Sequence, residues 1–261
     1  MPIEFSVRVP YTTAPNMVRN TGTIFNPEPR SYYIRQKNQE LIKRGNDLWA
    51  ELPGASLLIR QATQELGLVE TSSIVNFALQ IEEDVAVMHQ GRLVAICFCF
   101  PSSWIPRERI GMKLTDIHGP VADGDKLRTM SQRIAETMAD PAQGSFRRHV
   151  WTISNSGELS QHPASKSDLI PDDIHNLWFR LETQTTMPLG DGKSSVFFVR
   201  VETEPLLVIW NDLEKRRILL ASINSMSDAV LTYKNLHHIR EILNKKNDPG
   251  GSLMCSWADS L

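Results

Sequence analysis

DVAVMHQGRLVAICFCF, residues 84–100, decides the fold class. Asp84 to His89 and Arg92 to Phe100 are short runs of apolar and β-branched residues, and the Gln90-Gly91 pair between them suits a two-residue hairpin turn. Ile74 to Gln80 upstream, and Arg148 to Ile153, Leu177 to Thr186 and Ser195 to Glu202 downstream, share that character. Together they predict an antiparallel meander. Helical spacing brackets it: Ile34, Leu41, Ile42 and Leu48 line one face of Tyr32–Trp49, with Ser31 as its N-cap, and Ala55–Leu66 follows with Gly67 as its stop. Asp125–Met138, Leu213–Ser225 and Ser227–Lys245 also read as helical. Helices, then strands, then helices predict an α+β domain with one curved antiparallel sheet.

Residues 1–30 carry Pro2, Pro10, Pro15, Pro27 and Pro29, which predicts an extended arm lying on the domain. The alternation of Phe5, Val7, Val9 and Tyr11 allows one short strand within it. The domain itself spans 31–246, with Gly157–Asp173 as a surface loop, and 247–261 is expected to be a mobile tail.

The 261 residues are enough to bury a core without disulfide or metal support. Lys and Arg number 28 against 30 Asp and Glu, so no excess of positive charge draws the chain to nucleic acid or to an anionic membrane. The expected partner is a small molecule or another protein. Met1–Thr13 lacks an apolar run of signal-peptide length, and no run of about 18 apolar residues occurs, so the expectation is a soluble, cytoplasmic protein. Cys97 and Cys99 share one strand face and Cys255 stands apart, a pattern of reduced core thiols; a zinc site would need a second ligand pair that is not found at the right spacing.

No phosphate-binding glycine loop, H-E-x-x-H or G-x-S-x-G motif is present. The remaining chemistry centres on Phe98–Val121, FCFPSSWIPRERIGMKLTDIHGPV. His118 stands between Ile117 and the Gly119-Pro120 turn, with Asp116 in place to orient the imidazole. It reads either as a metal or heme ligand or as a turn histidine satisfied by a carbonyl. A heme pocket needs an axial ligand, an apolar slot and cations for the propionates. Trp104, Ile105, Ile110, Met112 and Leu114 supply apolar bulk, and Arg107, Arg109, Lys113, Arg147 and Arg148 supply cations, although each cation alone also reads as a solvated charge. His149 is the rival ligand. On the predicted strand LWFRLETQTTMPLG, Arg180, Glu182, Gln184 and Thr186 alternate with Phe179, Leu181, Thr183 and Thr185. The polar face lines a substrate cavity or, alternatively, faces solvent with cross-strand ion pairs, which Arg200 and Glu202 of SSVFFVRVE could join.

Several ordered patches resemble the heme-dependent oxidative N-demethylase alpha-subunit-like family: Ile81-Glu82-Glu83-Asp84-Val85, Phe100-Pro101-Ser102-Ser103-Trp104, Ile110-Gly111, Ile117-His118 with Pro120-Val121, Arg148 to Trp151, and Arg180-Leu181-Glu182 with Gln184-Thr185. The resemblance runs from about Pro29 to Leu243. It implies a PAS-like sheet binding heme b through iron-ligating His118, with Trp104, Arg107, Lys113 and Arg148 around the cofactor and Arg180, Glu182 and Gln184 as the catalytic strand. It implies an oxygenase that demethylates a small amine or amino-acid-like substrate using O2 and electrons from a partner reductase. The alternative is a noncatalytic heme- or ligand-binding PAS-type sensor or interaction module. Glu82 replaces a usual Gln, Val150 a usual Asn and Thr183 a common basic residue, departures that bear on substrate more than on fold.

Overall fold

The computed structural model describes residues 3–26, 28–117, 119, 122–165 and 171–248, with 126–128 as backbone alone. In chain order the elements are β1 (Val18–Arg19), α1 (Ser31–Leu48), β2 (Trp49–Glu51), α2 (Ala55–Glu65), α3 (Ile74–Ala78), β3 (Asp84–His89), β4 (Arg92–Cys97), α4 (Leu114–Ile117), α5 (Asp125–Ala139), β5 (Phe146–Ser154), β6 (Trp178–Pro188), β7 (Ser194–Pro205), α6 (Leu206–Trp210), α7 (Leu213–Asn224), α8 (Asp228–Lys234) and α9 (His237–Asn247). The strands form one open seven-stranded sheet in the order β1-β5-β6-β7-β3-β4-β2. Every neighbouring pair is antiparallel.

The β3–β4 hairpin lies inside this sheet, because β3 also pairs with β7 and β4 with β2. Gln90 and Gly91 take positive φ, 49° and 73°, the twist a two-residue turn needs to match right-twisted strands. Elements cover both faces of β3, so it is buried almost throughout instead of alternating. On one face, Phe77 of α3 meets Phe198 of β7 edge-on with ring centres 6.3 Å apart, in a core that includes Ile59, Val85 and Val87. On the same face further along the sheet, Trp151 and Phe179 stack at 5.9 Å in a second core closed by Leu219, Ile223 and Leu243 of the C-terminal helices. Burying each such side chain is worth about 1.5–3 kcal/mol. Ile3, Phe5, Val7 and Tyr11 of the N-terminal segment pack onto this second core, so this side is called the arm face. The opposite side, where Phe98 stacks on Phe197 at 6.5 Å and Trp104 packs on Phe98 at 5.6 Å, is the loop face.

Five expectations are corrected. Ile74–Gln80 is not a strand: the Ser73 hydroxyl accepts from the Asn76 amide and starts α3, which turns Ile74, Phe77 and Ala78 into the first core. That cap is worth about 1 kcal/mol. Ser31 is the first helical residue, not the cap, and Arg30 precedes it without a capping side chain. The strand from Arg92 stops at Cys97, since the Phe98 amide turns to the Leu48 carbonyl at 3.0 Å. Phe5–Tyr11 forms no strand; the first strand is Val18–Arg19, paired to β5. The pattern over Ser227–Lys245 is two helices, broken where Asn235 takes φ 55°.

Candidate functional site

Alternation along paired strands sorts the polar residues onto the two faces. Arg148 pairs with Gln184, and Gln184 with Val199, so these share the loop face with Glu182 and Arg180. Arg148 Nε donates to Gln184 Oε1 at 2.6 Å, and Gln184 Nε2 donates to Glu182 Oε2 at 3.0 Å. Ser102 Oγ donates to the other carboxylate oxygen at 2.5 Å and accepts from Arg180 Nε at 3.2 Å. Both oxygens of Glu182 are therefore engaged, and its side chain keeps 19 % exposure. It is a carboxylate held at both oxygens, with an open side.

Arg180 is the anchor of that wiring. Its side chain is fully buried, and the other two nitrogens donate to the Leu159 carbonyl at 2.6 Å and the Phe100 carbonyl at 2.9 Å. It thus ties the 98–104 loop and the 157–162 loop to β6. Burial lowers the pKa of Arg180 and of Arg148, opposed in each case first by Glu182. Two further residues join from α8. Lys234 Nζ donates to the Trp151 carbonyl at 2.9 Å, and burial brings its pKa down to about 8 against the pull of Glu182. Tyr233 is half-exposed; partial desolvation raises its pKa, Glu182 adds to that, and Arg109 and Arg148 oppose it. The Arg109 and Arg148 guanidiniums thus both act on one phenol.

Among the other residues expected from the sequence, Trp104 shares the loop face through Phe98 and Phe197. Arg107 is exposed and donates to the Asn46 carbonyl at 3.2 Å, and Lys113 is exposed, with its backbone bridged to Arg92. His118 lies outside the described residues, as does Cys255. Ile117, just before His118, packs as Trp104, Ile110 and Leu114 do on a buried cluster that includes Phe98 and Val199, while staying partly exposed. Cys97 and Cys99 are buried, with their sulfurs 4.0 Å apart. Among the described residues, no three His, Cys, Asp or Glu side chains stand together as a metal cluster.

The arm face holds what the sequence did not point to. Arg147 and Arg200, each assigned by sequence to the neighbourhood of Arg148 or Arg180, stand on the opposite side of the sheet, in register with Thr185 and Thr183. A cavity of about 430 Å³ opens there beneath Ile24, Phe25 and Asn26. Arg200 bridges Glu82 at 3.1 Å and Glu83 at 2.9 Å, and Arg30 pairs with Glu82 at 2.9 Å. Buried Lys37 sets the position of this acidic run by donating to the Ala78, Ile81 and Glu83 carbonyls, 2.5 Å in the last case. Asp84, 3.7 Å from Lys37, is raised to about 6 by burial, with Lys37 opposing. His149 Nδ1 meets Thr183 Oγ1 at 3.2 Å on the arm face, away from Trp104. The visible signal was the period-two alternation of β5 and β7, but alternation does not say which face carries a cavity.

No described helix is long and apolar enough to cross a membrane. No curated protein matches the chain. Residues 35–244 match the family described as "Haem-dependent oxidative N-demethylase, alpha subunit-like". With most of its length covered by that match, and with the Ser102, Arg148, Arg180, Glu182 and Gln184 network falling inside it, the chain belongs to the heme-dependent oxidative N-demethylase alpha-subunit-like family.

Proposed function

We propose that this protein is a heme-dependent oxygenase acting on a small amine or amino-acid-like substrate, with O2 and electrons from a separate reductase. Family membership supports the heme-dependent oxidative class. The observation that carries the site is Glu182, a carboxylate with an open side, held at both oxygens between two arginines on the loop face. The strand order β5-β6-β7-β3-β4, with the helical segment between β4 and β5, supports a PAS-like reading of residues 31–246.

The donor set suits heme. Trp104, Ile110, Leu114 and Ile117 form a partly exposed apolar shelf, and Arg148 and Arg109 are cations suited to propionates. In this reading His118 would hold the iron of heme b, Trp104 would wall the slot, and Arg107 and Lys113 would stand at its solvent rim. Heme, when bound, supplies an iron that activates oxygen. The chain's own contribution is electrostatic. Glu182 attracts a cationic amine and accepts its proton, Gln184 and Ser102 hold that carboxylate in one orientation, and Arg180 fixes Ser102.

The test is an absorption spectrum of the purified protein with and without dithionite. A Soret band that shifts on reduction and is lost or moved in His118→Ala supports the reading; a folded protein with no heme affinity overturns it. Reductant-dependent O2 consumption across a panel of amines separates an oxygenase from a noncatalytic PAS-type sensor.

A further inference from the structure

The arm-face cavity takes no part in the loop-face reading, yet its walls hold three buried polar atoms without a hydrogen-bond partner: Arg147 Nε, Arg200 Nε and Glu83 Oε2. Unmade hydrogen bonds on buried charged groups are costly and rare, and here all three belong to residues that line one cavity. The remaining contacts of each group hold it in place. Arg147 Nη2 donates to the Thr23 carbonyl at 2.7 Å, and Arg200 Nη2 is held by Glu82 and Glu83. Glu83 keeps only 5 % side-chain exposure, and its other oxygen pairs with Arg200 at 2.9 Å. The two arginines come from β5 and β7, the strands on either side of β6, and line the cavity together with Thr183 and Thr185 of β6.

We propose that this cavity is a second binding site, for a small zwitterion of the amino-acid class, whose carboxylate accepts from Arg147 and Arg200 Nε–H while its ammonium donates to Glu83 Oε2. A plain anion would leave the Glu83 oxygen unpaired beside it, and a plain amine would leave both guanidinium donors unmade. A zwitterion completes all three. Phe25 and Ile24 give the ligand's side chain an apolar wall, and about 430 Å³ lies within the range of small-ligand pockets. Burial raises the Glu83 carboxyl pKa, with Arg200 opposing, so a cation at the unpaired oxygen relieves an existing cost.

The test is calorimetric titration of the full chain with each standard L-amino acid, with acetate and ethylamine as singly charged controls. Saturable binding of at least one amino acid is expected, with both controls at least about tenfold weaker. Arg147→Gln and Glu83→Gln should each weaken that binding by about tenfold or more. Folding of each variant is checked by circular dichroism; should Glu83→Gln fail to fold, Arg147→Gln decides alone, because its Nε holds nothing together. The proposal is overturned if no amino acid binds the wild-type chain, if acetate or ethylamine binds as tightly, or if folded Arg147→Gln binds like wild type. None of these outcomes depends on heme.

Discussion

Arg147 and Arg148 are adjacent in the chain and live in different chemistries. Arg148 enters the loop face, where its Nε is committed to Gln184 and the chain of donors runs on through Glu182 and Ser102 to Arg180. Arg147 enters the arm face, where its Nε is buried and unpaired beside a cavity. Around Glu182 the polar groups are joined in one network that holds a single carboxylate, whereas around the arm-face cavity two donors and an acceptor stand unmade. Satisfied networks set geometry, while a buried unsatisfied group calls for an explanation, which the site proposed on the arm face supplies for Arg147, Arg200 and Glu83.

The sharpest way to break this contrast is at Arg180. Replacing it with Met leaves the Phe100 and Leu159 carbonyls and the nearby Glu182 without their buried partner. Arg180→Met should lose about 3–5 kcal/mol in urea unfolding. A cost below about 1 kcal/mol would mean that the loop face is not tied together through this residue.

Glu182→Gln keeps the shape and removes the charge. Amine oxidation should fall about a hundredfold, the lower end for loss of a proton-accepting group, while stability changes by about 1 kcal/mol. Full activity in this variant would remove Glu182 from the chemistry.

Lys234 gives a pH signature. Its folded pKa lies near 8 against 10.5 for the ordinary amine, so between those values the folded state binds fewer protons than the unfolded one. Stability therefore rises with pH across that window, and the full penalty is felt below it. Lys234→Met should abolish the rise, measured as the unfolding midpoint in urea at pH 7.5, 9 and 10.

Arg147→Gln should have the smallest effect on folding, about 1 kcal/mol or less, since the guanidinium's bond to the Thr23 carbonyl is what it contributes. Thermal unfolding of the purified variant checks this. A large loss would mean that Arg147 is structural after all.

Much of the fold is legible in the sequence because local physics governs it. The Gln90-Gly91 turn, the helical spacing of Tyr32–Trp49 and the alternation in LWFRLETQTTMPLG each depend on near neighbours. Ile74–Gln80 was misread because a short apolar run has no decisive period, and the Ser73 hydroxyl settles it by capping a helix. Arg180, Glu182 and Gln184 were legible as one strand face. Lys234 and Tyr233 were not, because they reach the same neighbourhood from α8, far away in sequence.

Alternation alone determined that Arg147 and Arg148 point to opposite sides of a strand, and that Glu182 shares a side with Gln184. What covers each side was decided only by tertiary packing. The arm residues Thr23 to Asn26 roof one face, and the loop carrying Ser102 and Trp104 lies on the other. The Ser102–Glu182 bond spans 80 residues of chain and the Arg147–Thr23 bond 124, and the stability of both coverings comes from apolar burial in two separate cores rather than from any local pattern. Side-chain direction is a property of the strand, whereas whether a charge ends up wired or unpaired beside a cavity is a property of the segment that folds over it.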